Sequence, residues 1–428
     1  MFEINLLIPM MIFLIFFLSI IGVLPCLSIA LIGILFGLSN IGLEIFLPIP
    51  SKIYSDLYNS QWFCIPLLIF LSNLNKNFLD SSEIFQYLKI LKKNNNVLAR
   101  FLTLLPVNLK LTGLIYDKYK HDGSDDLSFV NSVFSKQNDP NFVFVSNQFF
   151  VTLLPPSLIL ILVLNTTGII ISDFFEHILI PFACYLFFLM IFFFYKIKWD
   201  NYSSEEFTEI ADLEKKLITL KIFTPYFLVF LIICSVTFDF LTLLQCLCIA
   251  IVFTIFLIIV QNKNLKKILL SCFKKTSEIC AVILISLVCA QFFIISFETL
   301  GGHDFIMTKL SHLELSVYKI TLLILLIVFL FQLIFTWLEV CFVLLPLLLP
   351  IIIQLEMNPI WLSVLVCFCF YPKPLGTKRV KKSDFTVSIL NKIIPDENFF
   401  KFIPLLIIQI IFIIILFNYY KFFINISV

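Results

Sequence analysis

The residues best suited to chemistry lie in two short apolar stretches. In residues 142–168, FVFVSNQFFVTLLPPSLILILVLNTTG, the candidates are Ser146, Asn147, Thr152, Ser157, Asn165 and Thr166, set around the pair Pro155–Pro156. The second stretch, FTWLEV, holds Thr336 and Glu339. Proline has no backbone N–H, so within a helix the carbonyls of Val151 and Thr152 would lose their partners. Freed carbonyls, hydroxyls and amide oxygens are the ligands that a hard cation takes. A carboxylate inside an apolar run marks a functional position by default. The chemistry on offer is therefore ion and solute binding. No nucleophile–base set appears, so the chain does not read as an enzyme. The same groups have a second reading. Ser, Thr and Asn hydrogen-bond between helices in membranes, and Glu339 could make a structural bond at a helix start. The sequence leaves both open.

Composition says what must position these groups. Of the 428 residues 60% are hydrophobic and 14% are charged, and the mean hydropathy is +1.04. A soluble domain is about half apolar and about a quarter charged, so this is an integral membrane protein in a lipid bilayer. A net charge of +2 and the lack of a basic stripe exclude nucleic acid as a partner. The 12 Cys fall mostly in apolar runs with no metal-binding spacing and read as packing residues. Fifty-two Phe beside 10 Gly point to AT-rich coding. The opening MFEINLLIPMMIFLIFFLSIIGVLP has no basic residue ahead of its apolar run and reads as a retained membrane helix.

Spans of about twenty apolar residues fall near 5–24, 27–47, 175–195, 222–241, 243–260, 279–297, 317–335 and 402–420. Between them lie shorter or Pro-interrupted pieces. Residues 62–73 look too short to cross, 98–116 are interrupted at Pro106, 142–164 at Pro155–Pro156, and 337–355 at Pro346 and Pro350. Residues 359–376 end in Pro372 and Pro374. Lys and Arg cluster at 76–100, 196–221, 263–275 and 373–401, which marks those segments as cytoplasmic and the N-terminus as external. Segment 197–221 is amphipathic, with Phe207, Ile210, Leu213, Leu217 and Leu220 at helical spacing, and predicts a helix on the cytoplasmic membrane surface. The chain then divides into N-terminal helices (1–60), a first unit (61–196), the surface helix (197–221) and a second unit (222–428). Short Pro-broken segments in both halves are the sequence mark of an inverted-repeat secondary transporter.

Four stretches carry a family resemblance: WFCIPLLIFLSNL (62–74), QFFVTLLPPSLILILVLNTTGIIISDFFEHILIP (148–181), FETLGGHDFI (297–306) and IFTWLEVCFVLLPLLLPIIIQLEMNPIWLSVLV (334–366). In order and spacing the chain resembles the large membrane subunit of a tripartite ATP-independent periplasmic (TRAP) transporter, in the mannitol/chloroaromatic branch. The resemblance implies an all-α polytopic fold of two inverted repeats with re-entrant hairpins and Pro-broken helices. It implies Na⁺ as coupling ion near the hairpin tips, and an organic acid moved by an elevator-like motion. It further implies a bacterial inner-membrane location. The partners it implies are a small four-helix membrane subunit and a periplasmic solute-binding protein. The ion and substrate groups would come from the ten residues Ser146, Asn147, Thr152, Pro155, Pro156, Ser157, Asn165, Thr166, Thr336 and Glu339.

The chain departs from the family pattern in three places. The region of the first hairpin, about 98–147, is polar and long-chained where the family is rich in Gly, Ser, Thr and Ala. Residues 373–384, KPLGTKRVKKSD, put five basic residues where the family has an apolar half-helix. The acid that usually precedes the second stretch is Thr336 here, and Glu339 is retained. These departures support a second expectation, a non-transporting membrane scaffold of the same ancestry.

Overall fold

The computed structural model describes residues 4–78, 156–196, 212–261, 264–312, 316–355, 357–370 and 407–418. Helices make up all the regular structure among the described residues: α1 (Ile4–Ile21), α2 (Pro25–Asn40), α3 (Pro48–Tyr58), α4 (Ser60–Phe78), α5 (Leu158–Thr167), α6 (Ile171–Lys196), α7 (Asp212–Thr237), α8 (Leu243–Val260), α9 (Leu265–Thr299), α10 (Gly302–His312) and α11 (Val317–Ile334). They continue as α12 (Trp337–Gln354), α13 (Pro359–Cys369) and α14 (Ile407–Asn418). Among the described residues α6, α8, α9 and α12 are long and apolar enough to cross a membrane. The molecule is an all-α polytopic membrane protein.

The longest element, α9, organises the rest. Its 35 residues reach about 52 Å at 1.5 Å per residue, well beyond a hydrocarbon core of about 30 Å. Lys266, Lys267, Lys274 and Lys275 occupy its first turns, and the apolar run comes after them. Along its C-terminal half lies α2. A Cβ on Gly33 would come within 2.6 Å of the Phe293 backbone nitrogen, and one on Gly37 within 2.7 Å of Ser296 Oγ. The Gly-xxx-Gly spacing puts both glycines on one face: Gly33 lets the α9 backbone approach, and Gly37 makes room for the Ile45 and Ser296 side chains. Ser296 Oγ closes the seam by donating to Gly33 O at 2.6 Å.

The α3 helix runs back along α9. Lys52 pairs with Glu298 at 2.6 Å, and Gln291 donates to the Asp56 carboxylate at 2.6 Å. Burial pushes the Asp56 carboxyl up, against the opposing pull of Lys52 and Gln291. Asn59, in extended backbone, separates α3 from α4.

One expectation is extended and two are corrected. First, the 62–73 stretch lies inside the 19-residue α4, which is not among the helices long and apolar enough to cross a membrane. Its Asn-rich end stays helical because α9 supplies partners. Asn73 donates to Thr276 at 3.1 Å and Asn77 to Cys272 Sγ at 3.3 Å. Second, residues 212–221 are the first turns of α7 rather than a separate helix. No Gly or Pro interrupts the pattern before Pro225, so the helix continues into the apolar run. Third, Pro346 and Pro350 do not break α12. The five residues Val340–Leu344 form a π-helical turn in which Leu345 N–H donates to Val340 O, five residues back. The wide turn relieves the clash that the Pro346 ring would make with the carbonyl four residues earlier. The first hairpin, Pro106 and the basic 373–401 segment lie outside the described residues.

At the centre is α5. Every side chain from Leu158 to Leu164 is at most 4% exposed. The α4, α6, α12 and α13 helices enclose it, and α13 is buried all round in the same way. A helix that is apolar on every face must be surrounded.

Substituting Gly33→Ala overpacks the α2–α9 seam and is expected to cost about 1–3 kcal/mol. This reads as a lower thermal midpoint in detergent. Ser39→Ala, on the exposed end of the same helix, should leave the midpoint unchanged.

Candidate functional site

Two short buried helices pack against each other, α5 starting just after Pro156 and α13 ending two residues before Pro372 in the sequence. Pro156 precedes α5 directly, and Ser157 is the N-cap, extended at φ −110°, ψ 155°. Its Oγ accepts from Leu160 N–H at 3.3 Å. A Ser N-cap satisfies one of the donors that a helix start leaves open, which is why a helix can begin at once after a proline. Gly168, left-handed at φ 69°, ends α5. Gln61 at the head of α4 then donates to Ile169 O at 3.0 Å.

The mirror situation holds for α13. Asn358 caps its start and accepts from Ile360 N–H at 3.0 Å and Trp361 N–H at 3.4 Å. The helix ends at the extended Phe370, two residues before Pro372. Its last carbonyls would have no partner, and each such group in hydrocarbon costs several kcal/mol. Gln409 of α14 supplies the partner. Its Nε2 donates to Phe368 O and to Phe370 O, while its Oε1 is buried and unpartnered. Tyr185, Phe368 and Phe412 pack ring against ring around this end, with centroids 5.1–5.5 Å apart.

The third feature is the start of α12. Thr336 is the N-cap, and its N–H donates to Glu339 Oε2 at 2.7 Å. Its hydroxyl bonds the same oxygen. This is a reciprocal capping box. Glu339 is 6% exposed, and the thiols of Cys26, Cys289 and Cys341 lie within its electrostatic reach. The position where the family carries an acid is thus an N-cap. Thr and Asp both fill that role, so the change to Thr336 keeps the local fold. Trp62 of α4 stacks on Phe342 of the π turn, centroids 5.9 Å apart and planes at 12°, which ties the first half of the chain to the second.

The ten sequence candidates divide accordingly. Ser146, Asn147, Thr152 and Pro155 lie outside the described residues. Pro156 and Ser157 sit at the break. Thr336 and Glu339 are bonded to each other. Asn165 and Thr166 do not flank the break. They stand at the far end of α5, about 12 Å from Ser157 by helical rise. Thr166 Oγ1 bonds its own helix at Val163 O, 2.9 Å. The Asn165 Oδ1 is buried and unpartnered. Of the other polar residues, Gln291 joins α9 to α3 through Asp56, and Glu298 is in the Lys52 pair. Sequence reasoning missed Asn358 and Gln409. Asn before Pro359 is an N-cap signal that was legible. A lone Gln in an apolar run, as at 409, carries no such signal.

A family model described as "Tripartite ATP-independent periplasmic transporter, DctM component" matches residues 145–419. The chain belongs to this family. The match covers both breaks, α12 and the described part of α14, and it begins after α4. No curated protein matches the chain. Membership makes it the large membrane subunit of a TRAP transporter, a transporter component and not an enzyme.

Gln409→Leu keeps the volume and strands two carbonyls. It is expected to destabilise by about 1–3 kcal/mol, measured as a lower unfolding midpoint. Thr336→Val should cost about 1 kcal/mol through the lost cap, with Thr336→Ser restoring it.

Proposed function

We propose that this DctM subunit moves an organic acid together with Na⁺ across the bacterial inner membrane, receiving the acid from a periplasmic solute-binding protein and braced by a small four-helix membrane subunit. The single observation that carries the reading is the pair of buried half-helices in contact, α5 starting at a proline break and α13 ending at one. A helix start carries partial positive charge and a helix end partial negative charge. In secondary transporters the N-terminal ends of broken helices face substrate carboxylates, and the C-terminal ends with unwound carbonyls hold the cation. On this reading the amides at the head of α5, with Ser157, face the acid. The chemistry at the end of α13 suits Na⁺, since its acceptors are all oxygens: the last backbone carbonyls and the unpartnered Oε1 of Gln409. We assign the two breaks to the two repeats of an inverted pair, with Ser146, Asn147, Thr152 and Pro155 completing the first and Thr336–Glu339 anchoring the second.

The basic run of Lys378, Arg379, Lys381 and Lys382 favours the other reading, a scaffold that no longer transports, because four charges after the break are costly in hydrocarbon. Reconstitution separates the two. The chain, its small subunit and its binding protein in proteoliposomes should take up a radiolabelled carboxylate only with an inward Na⁺ gradient. Ser157→Pro should abolish uptake while the three-part complex still assembles. If the assembled complex takes up none of a panel of carboxylates with or without Na⁺, the scaffold reading replaces this one.

A further inference from the structure

We infer that Asp56 and Gln291 form a proton-binding site at the α3–α9 contact, an acid–amide pair that closes only when the Asp56 carboxyl carries a proton. Two observations carry this. The first is the half of the pair already made. Gln291 Nε2 donates to Asp56 Oδ2 at 2.6 Å. The second is the half left open. Gln291 is 7% exposed, and its Oε1 is buried with no partner among the described residues. An amide offers a donor and an acceptor side by side, whereas a carboxylate only accepts. A neutral carboxyl does both. Its O–H can serve Oε1 while Oδ2 keeps the bond from Nε2. One proton therefore supplies the bond that Oε1 lacks.

The surroundings weigh on both sides. Burial favours the neutral carboxyl and outweighs the rest, so Asp56 stands above the ordinary carboxylate range. Lys52, one turn earlier on α3, and the bond from Nε2 pull the other way. Lys52 is itself held at 2.6 Å by Glu298 of α9, whose charge offsets its own. The 3₁₀ turn Gly42–Phe46 also packs on α3 and brings one charged group, the exposed Glu44. The head of α4, SQWFCIPL, brings none. Water delivers the proton. Asp56 is half-buried, Tyr54 and Tyr58 on either side of it in sequence are exposed, and α3 is not one of the apolar helices. A proton from water adds to Oδ1, the carboxylate becomes a carboxyl, and the new O–H donates to Oε1. Loss of the proton to water reverses the step. With the proton in place, two bonds instead of one tie α3 to α9 at this point.

The full-length protein in detergent is titrated from about pH 8 to about pH 4 and followed by infrared difference spectroscopy. Expected is the C=O stretch of a protonated carboxyl that appears above the ordinary Asp range and is lost in Asp56→Asn. In Gln291→Leu the carboxyl loses both partners, and its stretch should move to higher frequency. Stability reads the same proton. The folded state holds it more tightly than the unfolded chain, so stability is gained as pH falls through the raised value and is complete below the ordinary Asp range. Asp56→Asn carries its own N–H for Oε1 and keeps the pair closed at every pH. Its unfolding midpoint should exceed that of the wild type at about pH 8, and the gap should close toward about pH 4. A retained gel-filtration profile shows that each variant is folded. The inference is overturned by the absence of an Asp56 band above the ordinary range, by an unshifted band in Gln291→Leu, or by an Asn variant no more stable than the wild type at the alkaline end. It is overturned equally by a band whose titration moves to lower pH when Na⁺ replaces choline, since the carboxylate would then hold a cation. Neither residue belongs to the two candidate half-sites, so failure here leaves the transport reading untouched.

Discussion

A backbone carbonyl that loses its helical partner inside a membrane must find another one in the protein. Most of what is particular to this chain stems from that single demand. Pro156 ahead of α5 and Pro372 in the sequence beyond α13 carry no backbone N–H. The donors and acceptors at these helix ends come instead from side chains, the buried Ser157 and Gln409, the half-buried Gln61 and the exposed Asn358. Ser157 and Asn358 cap helix starts. Gln61 takes the carbonyl beyond α5, and Gln409 takes two at the end of α13. Because Gln409 belongs to α14, the break in α13 is held by an element some forty residues away. The interruption and its partner are therefore one structural unit.

A proline is not always a break, and α12 shows why. There the helix gains one residue in a turn at Val340–Leu344, and the backbone stays paired through Pro346. The difference lies in the residues downstream of each site. After Phe370 the sequence returns to proline twice within four residues, whereas Leu347, Leu348 and Leu349 separate Pro346 from Pro350. A helix can absorb one ring per turn by widening, and it stops when no run of donors remains beyond it.

The kind of element was legible because hydrocarbon thickness sets a length that apolar runs must meet, and the spans near 243–260 and 317–335 appear almost as the sequence draws them. The break at Pro156 was legible for the chemical reason that a missing N–H is visible in the residue type. What could not be read was partnership. Nothing in SNLNKNF says that Asn73 and Asn77 have Thr276 and Cys272 beside them, so α4 looked shorter than it is. Asn165 and Thr166 looked close to the break because they are close in sequence. Seven residues of helix, 158–164, carried them to the other end of α5. Glu339 was visible as an odd carboxylate, yet its bond to Thr336 depends on a helix start that hydropathy alone does not mark.

The α2–α9 seam has a further consequence. The chain holds only 10 Gly beside 52 Phe. Each of the seven described glycines either holds left-handed backbone or has no room for a Cβ. In a chain so poor in glycine, the residue marks positions where geometry leaves little choice. Gly33 and Gly37 carry that mark together, one turn apart on one face of α2, the first against the α9 backbone and the second against the Ile45 and Ser296 side chains.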